Sequence, residues 1–71
     1  MSNPIVELSE IIQRMYGENL EFSKPIKEGA DHCPRITVTL TLPNGKEFTA
    51  TSTNQKLARQ AAAKIALAEF K

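Results

Sequence analysis

The chain has 71 residues, of which 41% are hydrophobic and 24% are charged, and its formal net charge is +1. These values are typical of one small globular domain near the lower size limit for folding alone, and a single cysteine excludes an internal disulfide. No apolar run approaches the roughly 20 residues that a membrane-spanning helix needs, and no signal-peptide pattern opens the sequence.

The first predicted element is an amphipathic helix that begins after Asn3. Asparagine is a favourable N-cap, and Pro4 suits the first helical position, where a missing N–H costs nothing. Apolar residues then recur at the spacing of one helical face: Ile5, Leu8, Ile12 and Met15. Gly17 is expected to end this helix.

An extended region follows. Residues 20–28 predict one edge strand, with Phe22 as its apolar anchor and Pro25 marking the edge. The segment RITVTLTLP, residues 35–43, alternates apolar residues with threonines, which predicts a half-buried strand. Asn44-Gly45 then predicts a tight hairpin turn, because both residues tolerate positive φ.

The return strand is KEFTATS, and a second helix is predicted to begin after Asn54. Its apolar face is expected to contain Ala58, Ala61, Ala62, Ile65, Ala66 and, near the end, Phe70. The element order is therefore α-β-β-β-α. This order predicts an α+β fold in which a three-stranded antiparallel sheet carries both helices on one face.

Catalytic and metal-binding interpretations have little support. His32 and Cys33 are the only residues of their types, and neighbouring side chains in an extended loop point in different directions, which suits a nucleophile–base pair poorly. A structural zinc site needs about four Cys or His ligands, and no phosphate-binding glycine loop occurs. We therefore expect no enzyme activity, metal, cofactor or small-molecule substrate.

The charge distribution is more informative than the total. From Asn54 onward four basic residues oppose one acidic residue, giving +3, whereas residues 1–53 carry five basic and seven acidic residues, giving −2. Lys56 and Arg59 lie near the positive end of the second helix's dipole, an arrangement that suits a phosphate group. An ordinary solvated helix face is the alternative. The threonine face of the sheet lacks aromatic residues, which argues against base stacking on the strands.

Several separated segments resemble the double-stranded RNA-binding domain family. They are NPIVELSE, the spacing from Phe22 to Gly29, GADHCPRI, PNGKEF and QKLARQAAAKIAL. The resemblance covers essentially the whole chain and implies the same α-β-β-β-α fold. It also implies non-catalytic binding of duplex RNA by its A-form shape rather than its sequence.

The resemblance further implies which residues contact RNA. The first helix would enter one minor groove, the loop after the first strand the next, and the start of the second helix would hold phosphates across the intervening major groove. The matching residues are Asn3 and Glu10, then Gly29 and His32, and finally Gln55, Lys56 and Arg59.

Simpler roles remain open for some of these residues. Asn3 caps a helix, Glu10 suits a solvated helix surface, and His32 could satisfy a loop carbonyl. Cys33 is expected to pack incidentally, and structural roles are assigned to Phe22, Ile36 and Leu57.

Several departures from the family pattern lower the expected affinity. Among them, Val6 stands where a polar residue is frequent, Ala30 where proline is usual, and Gln55 where lysine is usual. Arg59 also replaces a lysine, which keeps the charge although the donor geometry differs. The loss of charge at Gln55 matters most, because affinity scales with the number of phosphates neutralised.

A second hypothesis therefore stays open: a protein-interaction or homodimerisation module on the same scaffold, using a sheet edge, the threonine face or the first helix. Residues 1–71 are expected to be one domain excised from a longer protein. The single cysteine favours a reducing compartment, so we expect an intracellular location, nuclear or cytoplasmic.

Overall fold

The computed structural model describes residues 3–29 and 31–70, and its elements follow the predicted order. The elements are helix α1 (Pro4–Tyr16), strands β1 (Glu21–Phe22), β2 (Ile26–Glu28), β3 (Arg35–Thr41) and β4 (Glu47–Ser52), helix α2 (Gln55–Leu67) and a final 3-10 turn (Ala68–Phe70). β4 pairs along one side of β3, and β1 and β2 share the other side, all antiparallel. The predicted α+β fold with an α-β-β-β-α layout is confirmed.

The first strand of that layout is divided by a β-bulge. The registers of β1 and β2 against β3 differ by one residue, so residues 23–25 lie opposite only two residues of β3. The Ser23 N–H donates to the Thr39 carbonyl at 2.8 Å, and Ser23 Oγ accepts from the Thr39 N–H at 2.9 Å. Pro25, which has no N–H, follows at the end of the bulge. The prediction of one continuous strand over residues 20–28 was wrong, because the serine side chain replaces a backbone partner.

Both helices begin at an asparagine cap, as predicted. Asn3 Oδ1 accepts a hydrogen bond from the Val6 N–H at 2.9 Å, and Asn54 Oδ1 accepts one from the Leu57 N–H at 2.8 Å. Helix α1 ends at Tyr16, and Gly17 follows as its C-cap in the left-handed conformation, with φ +68°. The caps fix where each helix begins and therefore where its first N–H groups lie.

The core lies between the sheet and the two helices. Its buried apolar residues are Leu8, Ile12, Val38, Leu40, Leu42, Ala50, Ala58, Ala62, Ala63, Ala66 and Leu67. Two apolar predictions were wrong, since Met15 is 56% exposed and Ile65 is 48% exposed. Ile65 precedes the buried Ala66 by one residue, or about 100° around the helix, which places it outside the face that contacts the sheet.

The turn between β3 and β4 contacts the C-terminal end of α1 and the 3-10 turn that follows α2. Asn44 Nδ2 donates to the Tyr16 hydroxyl at 3.3 Å, and Lys46 Nζ lies 3.6 Å from Glu69 Oε2 in an exposed ion pair. Ser52, at the end of β4, pairs with Ile36, and α2 begins three residues later. The start of α2 therefore lies at the opposite end of the sheet, beside the loop that joins β2 to β3.

Candidate nucleic-acid interface

The start of α2 presents donors and positive charge without a compensating acid. Asn54 accepts from the N–H groups of Leu57 and Ala58, so those of Gln55 and Lys56 have no acceptor among the described residues. The first turn contains no acidic side chain, and Lys56 is exposed. The positive end of the helix dipole thus coincides with an exposed ammonium group, which is an arrangement that binds anions.

Arg59 lies one turn further along α2 and is partly buried. Its Cζ atom is 5.5 Å from the centroid of the Phe22 ring, within the range of a cation–π contact. The Arg59 Nε atom is buried and has no hydrogen-bond partner within the described chain. The guanidinium therefore lies against β1, and no described carboxylate forms an ion pair with it.

Gly29 shapes the loop between β2 and β3, of which residue 29 and residues 31–34 are described. Its φ is +88°, and a Cβ placed on it would lie 2.8 Å from the Cys33 carbonyl oxygen. Only glycine fits both the positive φ and this close approach. Gly29 thus contributes backbone shape rather than a side chain.

His32 is exposed and makes no hydrogen bond within the described residues, so the loop-carbonyl alternative has no support. Cys33 is also exposed, and the expectation that it packs was wrong. Ala30, where the family usually has proline, lies outside the described residues. The described loop therefore presents an imidazole to solvent.

The exposed edge of α1 carries Asn3, Val6, Glu10 and Gln13 at helical spacing. The Asn3 side-chain oxygen is occupied by the cap, and Gln13 Nε2 donates to Asn19 Oδ1. Glu10 forms no ion pair among the described residues, whereas Val6, 44% exposed, places an apolar side chain between Asn3 and Glu10. The edge thus offers an amide nitrogen and a carboxylate separated by an apolar residue.

The structure therefore brings the predicted loop residues and the start of α2 to one end of the sheet, while Asn3 and Glu10 lie on α1. Phe22 is the residue whose role the sequence did not indicate. It was assigned a purely structural part, yet its ring contacts the Arg59 guanidinium. An aromatic residue in the edge strand was the available indication, but only the tertiary fold pairs it with α2.

Other kinds of site are not formed by the residues described. On the outer sheet face, threonine hydroxyls bond across strands, Thr37 to Thr51 at 2.8 Å and Thr39 to Thr49 at 3.1 Å. Within residues 3–29 and 31–70, no three His, Cys, Asp or Glu side chains cluster as metal ligands would. No helix in that part of the chain is long and apolar enough to cross a bilayer.

The α-β-β-β-α layout and the cationic start of α2 define a small α+β binding domain. The family model of the double-stranded RNA binding motif matches residues 4–69. The chain therefore belongs to the double-stranded RNA binding motif family, and double-stranded RNA is the partner that this motif supports. A comparison with curated proteins finds no match.

Proposed function

We propose that the domain binds A-form RNA without catalysis, through two successive minor grooves and the major-groove phosphates between them. The exposed edge of α1 enters one minor groove, the loop between β2 and β3 enters the next, and the start of α2 holds the phosphates. The proposed contacts are Asn3 and Glu10, then Gly29 and His32, and finally Gln55, Lys56 and Arg59.

The observation that carries this proposal is the positive charge at the start of α2, where the first turn has no acidic side chain. Two N–H groups that have no acceptor among the described residues lie there beside the exposed Lys56, and Arg59 adds a second charge one turn away. A phosphate would accept from the amides and neutralise the cations at once. Gln55 supports this site through its backbone N–H, although its side chain adds no charge.

The minor-groove contacts explain a preference for RNA over DNA. The Glu10 carboxylate accepts from a 2′-hydroxyl, which DNA lacks, and the amide nitrogen of Asn3 donates while its oxygen stays in the cap. His32 provides a polar contact from the loop whose shape Gly29 sets. Because Gln55 is uncharged and Val6 is apolar, we expect modest affinity for the single domain, which linkage to a second binding domain would raise.

The test is a fluorescence-anisotropy titration against an RNA duplex of about 20 base pairs, slightly longer than the ~16 that such domains span. The same-sequence DNA duplex and single-stranded RNA are measured alongside, each at two salt concentrations. We expect selective binding of the RNA duplex that weakens as salt rises. Equal affinity for all three nucleic acids, or no binding at high micromolar protein, would contradict the proposal.

A second candidate function is docking of a protein partner or a second copy. It is favoured by two exposed apolar side chains on α2, Leu57 (44% exposed) and Ile65 (48% exposed). Leu57 was assigned a structural role from the sequence, and its exposed side chain is also available to a partner. Sedimentation of the chain alone would reveal self-association, and this function becomes the preferred one if no RNA binds.

Replacing His32 by alanine should weaken binding of the RNA duplex by about fivefold, the magnitude expected for one hydrogen bond. Stability should not change, because the imidazole is exposed and makes no hydrogen bond within the described chain. Cys33→Ser is the matched control, since Cys33 is the exposed neighbour in the same loop. Equal losses of affinity for RNA and DNA would place His32 outside the groove.

A further inference from the structure

Arg59 differs from the other cations of α2 in its surroundings. Lys56 and Lys64 are exposed, whereas Arg59 is partly buried, with its Cζ 5.5 Å from the Phe22 centroid. Its Nε atom is shielded from solvent and has no partner among the described residues. No described carboxylate neutralises the guanidinium, so its positive charge remains available to an external anion.

Phe22 is itself held firmly. Its backbone pairs with Leu40 in the β1–β3 ladder, and its side chain packs against the core cluster. The next residue, Ser23, makes two hydrogen bonds to the backbone of Thr39, which fix the strand as it enters the bulge. The ring is therefore a fixed surface against which the Arg59 side chain packs.

We propose that Phe22 is a positioning residue that pre-orders the Arg59 guanidinium for its phosphate contact, an inference that rests on the proposed function. A free arginine side chain loses rotamer freedom when it binds, and contact with a fixed ring removes part of that loss beforehand. The planar, delocalised guanidinium stacks on an aromatic face while its terminal N–H groups still form a fork for a phosphate. A lysine at this position would keep the charge but not the fork. Arg59 stands where the family usually has lysine. The Phe22 ring orients its guanidinium, so that this replacement still gives a well-placed phosphate contact.

The test is a double-mutant cycle between Phe22→Leu and Arg59→Ala, measured by anisotropy on the RNA duplex well below the unfolding temperature of every variant. We expect Phe22→Leu to weaken binding by about three- to tenfold in the parent chain, the range of a partly desolvated cation–π contact. In the Arg59→Ala background the same change should have no further effect. Phe22→Tyr, which keeps the ring, should restore nearly full affinity.

A merely structural role for Phe22 predicts a different pattern. Phe22→Leu would then lower stability but leave the affinity of the folded domain unchanged, or would weaken binding equally in both backgrounds, and either result overturns the inference. If Phe22→Leu does not fold, Arg59→Lys replaces it. We expect weaker binding from Arg59→Lys with an unchanged salt dependence, because the charge is kept, and unchanged affinity would overturn the inference.

Failure of the proposed function is separable from failure of this inference. If the parent chain binds no RNA duplex, both the proposed RNA binding and the phosphate contact of Arg59 are refuted. The ring contact is then still visible as an upfield ring-current shift of the Arg59 Nε–H proton, which Phe22→Leu abolishes. If the parent chain binds RNA and the cycle shows no coupling, only the positioning role is refuted.

Discussion

Replacing Lys56 and Arg59 together by alanine should lower affinity for the RNA duplex by on the order of 100-fold at ~0.1 M salt, or about tenfold for each phosphate that is no longer neutralised. These two side chains supply the positive charge at the start of α2, whose first turn contains no acidic residue. Each phosphate that a cation neutralises releases a counterion, so the slope of log affinity against log salt should also fall by about two. Titrations at four or more salt concentrations measure both quantities.

A matched variant removes the same charge elsewhere. Lys46→Ala with Lys64→Ala also lowers the net charge by two, but Lys46 lies in the turn at the far end of the sheet and Lys64 is in the last turn of α2. The Lys46 ion pair with Glu69 is exposed, and such pairs contribute little to stability. We expect this control to change affinity by less than about threefold, through general electrostatics alone. Comparable losses of affinity in the two double variants would show that binding follows total charge rather than the proposed phosphate site.

The elements of the fold were predictable because each is encoded by neighbouring residues. Asn3 and Asn54 cap the two helices as their positions indicated, and the threonine alternation set which face of β3 is buried. What failed depended on tertiary packing. Ile65 follows an apolar pattern, but it lies about 100° around α2 from the buried Ala66, and its side chain is 48% exposed. The bulge after Phe22 could not be predicted from the sequence either, because a serine that replaces a backbone partner has no distinctive sequence pattern.

The candidate site likewise has local features, which the sequence indicates, and long-range features, which it does not. The cationic helix start and the loop containing Gly29 are local features, so their segments could be chosen from the sequence. The placement of both at one end of the sheet follows from the pairing of Ser52 with Ile36, which joins residues far apart in the chain. The contact between Phe22 and Arg59 is also long-range, which is why Phe22 was assigned only a structural role. The sequence thus predicts which segments form the candidate site, but not the long-range contacts between them.

Gly29→Ala should destabilise the domain by about 2–4 kcal/mol, combining the penalty of a left-handed backbone with a clash. The added Cβ would meet the Cys33 carbonyl oxygen at 2.8 Å, and a backbone atom cannot move aside as a flexible side chain can. The loop must therefore shift, and the imidazole of His32 shifts with it. We expect about tenfold weaker binding of the RNA duplex, measured at low temperature where the variant remains folded, with stability taken from urea unfolding.

Gly45→Ala is the control that separates backbone strain from loop shape. Gly45 has a nearly identical φ of +91°, yet an added Cβ would find nothing within 4 Å. The strain should therefore lower stability by about 1–2 kcal/mol, and RNA affinity should not change, because the turn lies at the far end of the sheet from the loop. If Gly29→Ala destabilises the domain more than Gly45→Ala while both bind RNA like the parent chain, the loop is a structural element and the second minor-groove contact must be sought elsewhere. If only Gly29→Ala loses affinity, the conformation that Gly29 imposes is what presents His32 to the groove.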